Sequence, residues 1–156
     1  MLNIVGSTTI NPILFYSGKI SGYVIWVILI SSIFTANNIG KLSPVEITAV
    51  ILLSIGLIFI IVSLINLGRS TRLGIPNEHT EFKTRGLYTI SRNPMYLGFD
   101  MLSIAAILFV HSWTVAVLGL YSLFIYHIII LAEEKYLTNR FTEKYLEYKK
   151  AVRRYL

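Results

Sequence analysis

Gly86-Leu87-Tyr88-Thr89-Ile90-Ser91-Arg92-Asn93-Pro94-Met95-Tyr96-Leu97-Gly98 sets a turn, a fixed positive charge and a proline-started helix directly against a strongly apolar run. Asn93 precedes a proline and is steered toward extended backbone, while Pro94 suits the first position of a helix, so a helix is expected to begin here. The free N–H groups and dipole at such a start attract anions. Arg92 adds a permanent cation, and Tyr88 and Tyr96 supply aromatic faces with hydroxyl groups. A helix cap with a boundary arginine and interfacial tyrosines would account for the same residues without chemistry.

Outward from this stretch, apolar runs occupy residues 20–36, 45–67, 95–110 and 113–131. A helix needs roughly 20 residues to cross a bilayer, so the expectation is an all-α polytopic membrane protein of about four transmembrane helices. The third run is short and is expected to tilt little or start in the interface. The 54% hydrophobic content and mean hydropathy of +0.66 are too apolar for an ordinary soluble domain and fit one membrane domain spanning 1–156. Residues 10–16, interrupted by Asn11 and Pro12, read as a surface patch, and no removable leader is expected.

The positive charges order these runs. Of 14 Lys and Arg, only Lys19 and Lys41 fall outside residues 68–94, which hold five, and residues 132–156, which hold seven. Both basic segments are expected on the cytoplasmic side, with a hairpin of the last two runs between them, His111-Ser112 as its outer turn and both termini inside. Topology thus explains the net charge of +6 without nucleic acid. Ser43-Pro44-Val45-Glu46 is a capping-box arrangement, which makes Glu46 structural. There is no cysteine, and three scattered histidines give no metal site.

The same hairpin returns Glu133-Glu134 to the face that carries Arg92, joining two distant motifs in one site. Adjacent carboxylates at the negative end of a helix require a cation to offset them, from Lys135, the basic loop or a cationic ligand. Asp100 and His127 fall at similar depth in the hairpin and can pair, either as a functional intramembrane couple or as a plain structural hydrogen bond. Leu137, Phe141, Tyr145, Tyr148, Val152 and Tyr155 recur at helical spacing, with Lys144, Lys149, Lys150 and Arg154 mostly elsewhere. That pattern predicts a C-terminal amphipathic interfacial helix, either an anchor or a roof over a cavity.

These motifs together resemble the isoprenylcysteine carboxyl methyltransferase and phospholipid methyltransferase superfamily of integral membrane enzymes. Its signature is similar to a Gly-x-Tyr turn, then Arg-His-Pro-x-Tyr-x-Gly, a helical hairpin, and a Glu-Glu pair followed by Phe and paired tyrosines. The counterparts are Gly86-Leu87-Tyr88, Arg92 to Gly98, Glu133-Glu134, Phe141 and Tyr145 with Tyr148, over about residues 66–154.

The resemblance implies methyl transfer from S-adenosylmethionine to a lipophilic acceptor at the cytoplasmic boundary, with a carboxylate of isoprenylcysteine type as the expected acceptor and a phospholipid amine as the alternative. It assigns the cofactor to Phe82, Lys83, Tyr88, Asn93, Pro94, Tyr96, Glu133 and Glu134. Arg92 and Glu134 are the expected catalytic residues: Arg92, or alternatively Arg153, would hold an acceptor carboxylate, and Glu134 would be the base if the acceptor is an amine. Arg153 and His127 are the candidate substrate contacts. Asn93 stands where the pattern has histidine; it keeps a donor and an acceptor but cannot carry a proton charge. A nicotinamide-dependent membrane reductase and a non-enzymatic scaffold are the competing readings.

Overall fold

The computed structural model describes residues 8, 10–35, 42–68 and 84–156. Phe82 and Lys83 lie outside the described residues. Four helices follow in order: α1 Pro12–Thr35, α2 Pro44–Leu67, α3 Pro94–Val110 and α4 Trp113–Ala151, with a 3₁₀ turn at Gly86–Thr89 leading into α3. Among the described residues there is no strand, and the one non-helical pairing is a parallel bridge of Ser91 with Arg153. Helices α1, α2 and α4 are long and apolar enough to cross a membrane, whereas α3 has 17 residues. At 1.5 Å per residue α3 is roughly 25 Å long, somewhat less than a bilayer's hydrocarbon core.

The first helix starts earlier than its sequence suggests. Asn11 and Pro12, read as interruptions of a surface patch, are its start signal: the Ile13 amide donates to Asn11 Oδ1 at 2.9 Å, and Pro12 takes the first helical position. Phe15 is accordingly buried, beside Tyr96, Ile125, Tyr126, Ile129 and Ile130. At the head of α2 the capping box is complete, with the Ser43 amide on Glu46 Oε2 at 2.7 Å and the Glu46 amide on Ser43 Oγ at 3.3 Å. The α3–α4 turn falls at His111-Ser112, where His111 takes the left-handed conformation that ends α3.

Helix α2 packs along α3, and α1 packs on α3 and α4. The α2–α3 crossing is close because it has no side chain at two facing positions. A Cβ on Gly98 would stand 2.7 Å from the Gly56 carbonyl oxygen, and one on Gly56 would stand 2.9 Å from that of Gly98. Small polar side chains tie α1 to the hairpin: Ser17 Oγ meets Tyr121 Oη at 2.8 Å, Ser21 donates to the Leu118 carbonyl at 2.8 Å, and Trp26 Nε1 donates to Ser103 Oγ at 3.1 Å. Such bonds associate helices where lipid removes the hydrophobic driving force.

The amphipathic C-terminal segment is continuous with α4 rather than a separate helix, but the axis breaks at Thr142 (φ 41°, ψ −111°). Tyr145 and Tyr148 beyond the break are buried. The chain then leaves the helix at Val152 and runs extended beside Ser91.

Candidate active site

The start of α3 and the segment of α4 past Leu131 meet at one end of the bundle. Gly86 opens the approach at φ +62°, a left-handed conformation that glycine adopts without strain, and its open side lies against Asn66, which a Cβ would meet at 2.2 Å. The turn then delivers Ser91, Arg92 and Asn93 onto residues 152–154.

Arg92 donates through Nε and Nη2 to Glu134 Oε1 at 3.1 and 3.0 Å, and through Nη1 to the carbonyls of Val152 at 2.6 Å and Lys149 at 3.4 Å. Its backbone amide donates to the Arg153 carbonyl at 2.9 Å. Arg154 completes the set, with Nε on Glu134 Oε1 at 3.2 Å and Nη2 on Oε2 at 3.0 Å. Glu134, 3% exposed, therefore sits between two guanidinium groups. It lies beyond the apolar run that ends at Leu131. Burial alone would raise its carboxyl, but the hydrogen bonds from Arg154 and Arg92 outweigh that and hold it below the usual carboxylate range.

Asn93 belongs to this knot. Its side chain does not cap α3; Nδ2 donates to Glu134 Oε1 at 3.2 Å and to the Arg154 carbonyl at 3.4 Å. With Asn93 9% exposed and Pro94 buried, the start of α3 is covered by residues 152–154 instead of standing open to an anion. An amide with two donors meets these partners without a proton charge, which gives the departure from histidine a local reason. Ser91 donates to the Arg154 carbonyl at 3.2 Å and accepts from the Asn93 amide.

Glu133 faces elsewhere. Neighbouring residues on a helix point about 100° apart, and Glu133 turns into the bundle, where Tyr96 Oη donates to its Oε1 at 2.8 Å. Lys19 of α1 acts on its charge from across the interface. Glu133 lies deep among its neighbours yet keeps some accessible surface. Burial pushes its carboxyl up to about 7, with the Tyr96 hydrogen bond and the Lys19 charge pulling the other way. Tyr88 is half-buried close by; burial pushes its phenol up, and Tyr148 and Glu133 add to that. Tyr148 Oη fixes this turn by donating to the Tyr88 carbonyl at 2.6 Å.

The pairing of Asp100 with His127 does not form. His127 Nδ1 bonds Tyr155 Oη at 2.6 Å, with the two rings stacked, because the extended C-terminal segment brings Tyr155 to it. Asp100 Oδ1 is instead sealed without a partner. The Arg153 side chain is exposed, and its contribution to the knot is its backbone carbonyl. Lys19 is the residue that sequence reading passed over: one lysine near the start of an apolar helix reads as a flanking charge, and only the packing of α1 on α4 brings it beside Glu133.

The two glutamates thus differ: Glu134 is saturated by two arginines, whereas Glu133 takes its hydrogen bond from Tyr96 and forms no ion pair among the described residues. A family model described as phospholipid methyltransferase matches residues 45–144, nearly two-thirds of the chain, taking in α2, α3, both glutamates and the break at Thr142 but neither α1 nor residues 152–155. No curated protein and no solved structure matches the chain.

Proposed function

The chain belongs to the phospholipid methyltransferase family and is a membrane methyltransferase; we propose that it methylates the amine of a lipid held at the cytoplasmic end of the bundle, with S-adenosylmethionine as donor. That cofactor supplies an electrophilic methyl group on a cationic sulfur. Glu133 and Tyr88 are the residues that would hold it, with the carboxylate offsetting the positive charge and the Tyr88 ring adding roughly 0.5–2 kcal/mol of cation–π attraction; Tyr96, buried against Phe99 and Tyr126, holds Glu133 in place.

The observation that carries the amine reading is Glu133, a carboxylate with accessible surface that takes its hydrogen bond from Tyr96. The Arg92 guanidinium, expected from the sequence to hold a carboxylate acceptor, is bound to Glu134 and to the carbonyls of Val152 and Lys149. An amine acceptor needs a base to remove its proton, and Glu133 is the carboxylate with accessible surface and one hydrogen bond from Tyr96. In this reading the ammonium proton passes to Glu133, freeing the nitrogen lone pair to attack the methyl carbon. The base role that the sequence suggested for Glu134 moves one residue back. Arg92, Asn93, Glu134 and Arg154 fix the helix ends on which Glu133 and Tyr96 stand.

The test is a labelled-methyl assay with purified protein in mixed micelles, offering phosphatidylethanolamine and a prenylated thiol acid in parallel. The expected product is base-stable label in the aminolipid, lost in Glu133→Gln. Base-labile label in the thiol acid would replace the amine reading by ester formation. No label with either, and no thermal stabilisation by millimolar S-adenosylhomocysteine, would remove the methyl-transfer reading.

A further inference from the structure

Lys19 is 8% exposed, and its Nζ lies over the Phe15 ring at 4.1 Å from the centroid. Burying an ammonium is costly unless it is paired, yet among the described residues it has no direct ion pair; those formed there are Arg92 and Arg154 with Glu134. It is not sealed either. The buried side-chain atoms closed off without a partner are Ser63 Oγ, Asn66 Nδ2, Asp100 Oδ1 and Tyr126 Oη, so the ammonium keeps contact with accessible space. Glu133 keeps accessible surface as well, and the two charges act on each other without touching. A cation on α1 and an anion on α4 thus flank one aromatic contact, the ammonium over Phe15 and the carboxylate bonded to the Tyr96 that packs in the same cluster as Phe15.

We propose that the two charges form a zwitterion site, in which Lys19 takes an anionic oxygen of the ligand and Glu133 takes its cationic nitrogen or sulfur. The proposal rests on the methyl-transfer reading for the identity of the ligands, and two of them carry this chemistry: the amino-acid arm of the cofactor and the phosphate–ammonium headgroup of an aminolipid. Lys19 lies outside residues 45–144, the segment that the family model matches. The paired charges also explain why an ammonium is retained at a buried position on an otherwise apolar helix: it completes a ligand rather than a salt bridge.

The experiment measures binding to the full chain in detergent micelles for wild type, Lys19→Met, Lys19→Arg and the surface control Lys144→Met. Two ligand pairs are used: S-adenosylhomocysteine against 5′-methylthioadenosine, which lacks the amino-acid arm, and dioleoylphosphatidylethanolamine against dioleoylglycerol, which lacks the headgroup. Lys19→Met is expected to weaken one zwitterion about tenfold or more, the loss of a charge-assisted hydrogen bond, and to leave its truncated partner unchanged. Lys19→Arg should recover part of that loss, and Lys144→Met should change nothing. Whichever zwitterion responds identifies the occupant. If S-adenosylhomocysteine fails to bind wild type, the donor assignment falls and the lipid pair alone decides on Lys19. Equal effects on zwitterion and truncated partner, or binding of neither zwitterion by wild type, overturn the site. Should Lys19→Met not fold, Lys19→Arg and Lys19→Gln carry the same comparison.

Discussion

Arg92 and Glu134, 42 residues apart in sequence, meet as a buried ion pair in which two guanidinium nitrogens share one carboxylate oxygen at 3.0 and 3.1 Å. Removing one partner of such a pair strands the other charge. Arg92→Met or Glu134→Gln is therefore expected to destabilise the protein by about 3–5 kcal/mol, read as a fall in melting temperature in detergent. The double variant Arg92→Met/Glu134→Met should lose less than the sum of the single losses, and strict additivity would show that the two side chains do not interact.

Acid should release the same pair. The folded carboxyl of Glu134 lies below its unfolded value, so its stabilising contribution is complete above about pH 4.5 and is lost as pH falls through the lowered folded value. Melting temperature measured from pH 6 downward should fall more steeply for wild type than for Glu134→Gln. Parallel curves would mean that the carboxylate titrates as it does in the unfolded chain.

Glu133 should govern the rate instead. A base whose carboxyl is pushed up to about 7 is half-ionised near neutrality, so turnover is expected to rise with pH through about 7 and level off above it. Glu133→Gln should lose about 10²–10⁴-fold in kcat, together with that limb of the profile, while keeping the wild-type melting temperature within a few degrees. A retained limb would assign the proton to another group.

The α2–α3 crossing admits no side chain at Gly98. Gly98→Ala places a methyl 2.7 Å from the Gly56 carbonyl oxygen and 3.2 Å from the Ile60 amide nitrogen, both backbone atoms that cannot turn aside. The helices must part, at an expected cost of about 1–3 kcal/mol. Because Tyr96 stands two residues before Gly98 on α3, methyl transfer should fall as well. An unchanged melting temperature in Gly98→Ala would contradict the close crossing.

The convergence of Arg92 with the glutamates was legible because it depends on two local signals: a proline that starts a helix, and an apolar run of the right length to bring the chain back. Which glutamate faces inward was not, since adjacent residues on a helix point in different directions and their orientation depends on how α4 packs against α1 and α3. The partners of Asn93 and His127 were hidden for a different reason. Both bind a segment 28–61 residues further along, through backbone carbonyls and a tyrosine hydroxyl that carry no sequence pattern of their own. At Asn11-Pro12 the local signal was present but open to two meanings, since the same dipeptide interrupts an apolar patch or caps a helix. The burial of Phe15 decides for the cap.

The bonds from Ser91, Arg92 and Asn93 to residues 149–154 span 57–63 positions of the chain. During synthesis Arg92 emerges long before any of its acceptors, and until they arrive its guanidinium has to stay hydrated at the membrane surface. The two helices between them are thus best inserted together, as one unit whose entrance is held open by that waiting charge. The knot closes only after the ribosome has passed residue 154, so the helix ends that carry Glu133 and Tyr96 are tied together as a late event of biogenesis.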